Sequence, residues 1–181
     1  MTLARFVQIR LLRNAAFLAA VLLPLTACLA QSNAALLSLL EGRDWALREA
    51  DFKALGNTTD QDLIALAEDT TQPNYLRFRA IQALRLFPTG RSADWLERIL
   101  TASPDQALVR RALDSYGAAF ASSRTAQMER MAGDLLAHPD AQVRIGAARL
   151  MRGLNTATSA DRYQQHLRGV TDPWERAEAE K

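Results

Sequence analysis

The chain has 181 residues, 49% of them hydrophobic, with 22 basic and 20 acidic side chains for a formal charge of +2, and a single cysteine. One cysteine excludes an internal disulfide, and near-balanced charge argues against a nucleic-acid binder, which concentrates a basic excess on its domain. The length suits one domain able to bury about two thirds of its unfolded surface.

In chain order, the first feature is a leader. Arg5, Arg10 and Arg13 precede an uncharged stretch from Asn14 to Pro24 rich in Ala, Leu and Val. These are the basic and apolar regions of an export signal, and the run is too short to cross a bilayer comfortably. It ends in Leu25-Thr26-Ala27-Cys28. All four positions resemble the bacterial lipoprotein box, in which the cysteine is diacylglycerylated, the chain is cut before it and the new N-terminus is acylated. The resemblance implies a signal peptide over 1–27, lipidation at Cys28 and a short tether over 28–33. The alternative is an ordinary signal cut after Ala30, with Cys28 a passenger. Leu29 stands where that family uses Asp for inner-membrane retention in Gram-negative cells, so the resemblance points to an outer-membrane anchor facing the periplasm. Residues 1–28 hold three arginines and no acid, which leaves 19 basic against 20 acidic side chains in the mature chain.

The remainder reads as all-α, because no stretch alternates apolar and polar side chains over several positions. An N-terminal helix pair is expected over 34–56, with helices at Ala34–Leu40 and Trp45–Leu55 broken by Gly42 and stopped by Gly56-Asn57. Thr59 or Asp60 then caps a helix carrying Leu63, Ile64, Leu66 and Ala67. Its partner starts at Pro73 and stops before Pro88. A second unit pairs Trp95, Leu96, Ile99 and Leu100 with a helix from Pro104 to about Phe120. A third pairs Met128, Met131, Leu135 and Leu136 with one from Pro139 to about Gly153. A degenerate unit over 160–181 carries Leu167, Val170 and Pro173-Trp174. Pro73, Pro104, Pro139 and Pro173 are spaced by 31, 35 and 34 residues, the period of stacked helix pairs. Proline is expected in each first turn, where no intrahelical N–H bond is lost. The pattern predicts repeats at about 60–88, 92–121 and 124–154, forming a short right-handed α-solenoid.

Ser103 to Arg110 and His138-Pro139-Asp140-Ala141-Gln142-Val143-Arg144 resemble the inter-helix turn and second helix of HEAT repeats, over roughly residues 60–153. The family often carries Asp before the proline, laddering to an arginine of the next unit. Gln72, Ser103 and His138 stand there instead and only Asp172 keeps the acid, so with Arg77, Arg110 and Arg144 the resemblance implies an incomplete ladder. Ala80, Ala83, Ala112, Gly146 and Ala147 are expected to line close helix seams.

Nothing assembles an active site. His138 reads as a turn residue and His166 as part of a terminal helix, neither at metal-ligand spacing. No Gly-x-Ser-x-Gly elbow or phosphate loop occurs, and Asp60-Gln61-Asp62 and Glu68-Asp69 suit helix starts and exposed turns. No catalytic residue, metal or cofactor is expected. Helix phase places Phe78, Gln82 and Arg85 opposite the apolar face of the Pro73 helix, then Arg110 and Asp114, then Ile145, Arg149 and Arg152. In HEAT-like solenoids the second helices line the concave side, so this stripe would face a groove fitting an acidic or polar protein segment. The plain alternative is a solvated helix face with internal salt bridges. Trp95 and Met131 read as core and Trp174 as an exposed anchor. The expected function is a membrane-anchored, extracytoplasmic, non-catalytic scaffold or assembly factor binding a cell-envelope protein. A HEAT-like lyase or ligand-handling protein, as in bilin attachment, is the alternative, and nucleic-acid binding, as in HEAT-like DNA glycosylases, is disfavoured by export and charge.

Overall fold

The computed structural model describes residues 34–181. The leader, the lipoprotein box and Cys28 lie outside the described residues. Contacts divide the chain after Trp45. The described part of the first unit contains helix α1 over 34–40, and Gly42 follows at φ +94°, the left-handed conformation that favours glycine.

The second unit, Ala46–Lys181, is entirely helical in its regular structure. It comprises α2 (Glu49–Lys53), α3 (Thr59–Glu68), α4 (Asn74–Ala83) tightening into a 3₁₀ turn over Leu84–Leu86, α5 (Gly90–Ala102), α6 (Gln106–Phe120), α7 (Thr125–Leu135), α8 (Ala141–Leu154), α9 (Ala157–Gly169) and α10 (Pro173–Ala179). The expected helix from Trp45 begins instead at Glu49, because Arg48 is extended and serves as its N-cap. Gly56, at φ +115°, makes the turn before α3.

The helix starts differ from the proline rule. Only Pro173 occupies a first-turn position, and Pro73 is itself an N-cap. Pro104 and Pro139 each precede an aspartate that does the capping. Asp105 accepts from the Ala107 and Leu108 N–H groups, and Asp140 accepts from Val143. A carboxylate at this place satisfies donors that proline cannot serve and complements the helix dipole. Thr89, Thr156 and Asp172 cap α5, α9 and α10 in the same way. Neither Thr59 nor Asp60 caps α3, whose N-cap is Thr58.

Each amphipathic helix buries its stripe on its neighbours. α3 packs on α4, α5 on α6 and α7 on α8, while α4, α6, α8 and α10 pack each on the next. Leu63, Ile81, Leu84, Leu96, Leu113, Met128 and Met151 are sealed from solvent, each side chain stabilising the fold by about 1.5–3 kcal/mol. Ala80, Ala83, Ala112 and Ala147 are fully buried, as the small-residue seams require. A Cβ on Gly146 would meet the Leu113 Cδ2 at 3.1 Å, so a larger residue there requires the Leu113 side chain to shift by a few tenths of an ångström.

Polar links join the helix pairs, and two of their acids, Asp60 and Glu68, are among those read as helix-start and turn residues. Buried Asp60 accepts from Thr89 at 2.7 Å and pairs with Arg91 at 2.8 Å. Glu68 accepts from the Trp95 indole at 2.7 Å and from Arg98 at 3.0 Å. Glu97 accepts from the Tyr116 hydroxyl at 2.5 Å and from Arg124 at 2.9 Å. Glu129 takes the Thr156 hydroxyl. Acids on α3, α5 and α7 thus reach the helix after next, Asp60, Glu97 and Glu129 at its start and Glu68 farther along α5.

Candidate functional site

Part of the sequence-predicted stripe converges. Arg110 and Asp114 on α6 and Ile145 and Arg149 on α8 line a hollow of about 180 Å³, together with Arg111, Gln142 and Gly146. One helical turn separates Arg110 from Asp114, and the glycine lets α8 lie close enough to α6 to bring Arg149 to the same rim. Phe78 joins through Arg111, whose guanidinium lies 5.4 Å from the Phe78 ring centre. Gln82 and Arg85 are half-buried on the neighbouring turn, and the Arg85 Nε donates to the Gln82 carbonyl at 3.1 Å.

Asp114 is the electrostatic centre of the hollow. Asp114 is exposed at the rim; desolvation by its surroundings raises its carboxyl above the ordinary value, while Arg85, Arg111, Arg149 and Arg110 each pull it back. One carboxylate thus sits in the field of four guanidinium groups, leaving this face with surplus positive potential. An incoming carboxylate would find forked donors here.

Other members of the stripe have different roles. Ile145 is 2% exposed and forms the floor of the hollow, not a contact surface. Arg149 is held by Glu178, through its carbonyl and its carboxylate, both at 2.8 Å. Arg152 donates to the Glu180 carbonyl. Both arginines tie α8 to the C-terminal segment, Arg149 by an internal salt bridge and Arg152 by a bond to a backbone carbonyl. Trp174 is half-exposed on α10 and does not line the hollow. Tyr75, equally exposed and stacked by Arg79 at 5.1 Å, is a surface aromatic that the stripe did not include.

A larger cleft of about 660 Å³ opens among α7, α8, α9 and α10. At its base Arg144 grips buried Glu175 with two parallel bonds, Nε at 2.7 Å and Nη2 at 2.5 Å. Arg144 also donates to the His138 and Pro139 carbonyls, and the His138 Nδ1 accepts from the Asp140 N–H at 3.0 Å. The His166 Nε2 lies 3.9 Å from the Glu175 carboxylate, buried and without a hydrogen bond. Burial lowers the His166 pKa below its ordinary value, Glu175 partly offsets this and Arg144 adds to it. Sequence reasoning missed this cluster because Glu175 lies in a plain acidic tail. The available signal was that Arg144 and Glu175 are 31 residues apart, about one repeat.

Among the described residues no helix is long and apolar enough to cross a membrane, and no group of three or more His, Cys, Asp or Glu side chains is placed to hold a metal ion. Comparison with protein-family models, curated proteins and solved structures finds no match to this chain.

Proposed function

We propose that this protein is an exported, lipid-anchored, non-catalytic scaffold that holds an acidic or polar segment of a cell-envelope protein on its second-helix face. In this reading the serial packing of α4, α6, α8 and α10 is that of a short HEAT-like α-solenoid, an architecture whose extended faces serve binding. The lipid on Cys28 supplies the membrane anchor. The observation that carries the reading is the hollow around Asp114, rimmed by Arg110 and Arg111 of α6 and Arg149 of α8, with Arg85 acting on the same carboxylate from the neighbouring turn.

Arg85 and Arg110 are the residues to reverse, because Arg149 and Arg152 also fasten α10. In-cell crosslinking of a tagged copy, read by mass spectrometry, should capture an envelope partner that Arg85→Glu/Arg110→Glu loses. Asp114→Asn, which removes the one like charge, should increase capture. Equal capture by all three proteins would remove the hollow as the binding surface. A parallel Cys28→Ser copy should lose the partner if anchoring is needed to meet it.

A second reading is kept by the C-terminal cleft, whose volume is that of a small-molecule site. A chromophore or other small ligand co-purifying with the protein would favour ligand handling over scaffolding.

A further inference from the structure

The C-terminal helix is held by polar ties more than by buried surface. α10 has seven residues, too short to be stable alone. It buries Ala179, and its carboxylates and carbonyls meet α8 at Arg144, Arg149 and Arg152. The Tyr163 hydroxyl adds a long bond to the Ala179 carbonyl, 3.4 Å. Of the two ion pairs among these ties, Arg144–Glu175 is the more buried, with Glu175 at 5% side-chain exposure.

His166 is packed against that pair, and its side chain is 10% exposed. The charged and titratable groups around it come from every neighbouring element. They are Asp134 on α7, Arg144 on α8, Arg162 on its own helix, Asp172 in the following turn and Glu175 on α10. Neutral imidazole leaves its Nε2 unpaired but brings no charge into the site. Imidazolium brings a second cation to a carboxylate that Arg144 already engages through both oxygens, so two positive charges would share one negative charge in a site largely shielded from water.

We propose that Arg144, Glu175 and His166 form an acid-sensitive latch: charging His166 loosens α10 from α8 and uncovers Arg149 and Arg152 on the second-helix face. The gain in partner-binding surface rests on the scaffold reading above, but the release of α10 does not. Glu178 stays ionised through the same pH range, since Lys181 and Arg149 hold it below the usual carboxylate range, so the switching group is the histidine. Its pKa lies below the ordinary histidine value, so the neutral form dominates near neutrality and the charged form gains only as the pH falls below that value.

The test is amide hydrogen exchange of the purified full chain at about pH 7.5 and about pH 5.5, corrected for intrinsic exchange rates, with α5 peptides as the internal reference. Protection over 171–181 should fall roughly fivefold or more on acidification, with α5 unchanged. His166→Gln and His166→Phe, neither of which binds a proton, should keep the same protection at both pH values. An acid-induced loss that persists in both variants would overturn the latch, as would unchanged protection in the wild type. A titration of the His166 ring by NMR in the wild type guards against a variant that fails to fold. Its midpoint should coincide with the loss of α10 protection, and a clear separation of the two would also overturn the latch. None of these readings uses a partner, so they stand or fall apart from the Arg85/Arg110 result.

Discussion

Replacing Glu97 by alanine tests whether a buried polar link, and not hydrophobic contact alone, holds α5 against α6. Glu97 lies on α5, and its carboxylate accepts from Tyr116 on α6 and from Arg124 at the start of the third unit. Tyr116 is fully buried. Burial, reinforced by Glu97, holds its hydroxyl well above the ordinary pKa, so it remains a donor at any working pH. Alanine leaves that buried donor without an acceptor, at a cost of about 1–3 kcal/mol. The Arg124 side chain is 36% exposed, so its lost pair adds little. A loss near 2 kcal/mol corresponds to a fall in Tm of roughly 4–8 °C for a chain of this size. The assay is thermal and urea unfolding by far-UV circular dichroism on Glu97→Ala, Tyr116→Phe and the double variant. Removing both partners leaves no orphan, so the double variant should be more stable than the two single losses summed, by about 1 kcal/mol or more. Losses that add within about 0.3 kcal/mol would refute the coupling.

Three further outcomes are expected. Ala147→Leu, at a fully buried seam of α8, should destabilise the domain by about 1–3 kcal/mol, and an unchanged melting temperature would count against the helix register. Stability should depend on pH through His166. Its folded pKa lies below the ordinary 6.5, so its contribution is whole above 6.5 and is lost as pH falls from 6.5 through the folded value. His166→Gln should flatten that part of a stability–pH curve, and an unaltered slope would assign it to other groups. Ending the chain at Asp172 removes Glu175, Glu178 and Ala179, and should raise hydrogen exchange in α8 and α9 while leaving α3 and α5 protected.

Much of the helical plan was legible because helix phase and turn chemistry are local. Leu63 and Leu66, Leu96 and Leu100, and Met128, Met131 and Leu135 recur at helical spacing, and each set is buried. Gly42 and Gly56 mark left-handed turns that their residue type announces. The cap positions were less legible, since Pro104-Asp105 and Pro139-Asp140 offer two adjacent candidates and only the backbone path selects the aspartate. In the candidate site, phase placed Arg110, Asp114, Ile145 and Arg149 around one hollow, but could not separate the floor from the rim. Ile145 is buried because α6 and α8 close over it, a matter of interhelical distance that Gly146 permits.

Sequence by itself determined the all-helical character, the buried faces of the helices and the small residues at their seams, because these follow from side-chain period and volume within a few turns of chain. Only the tertiary structure decided which charges are spent. Asp60, Glu68 and Glu97 became links between units, Arg149 and Arg152 became fasteners for α10, and His166 came to rest against a buried ion pair. Those pairings join residues about 30 positions apart, and a charge at that range is bound or left free only by how the helices pack.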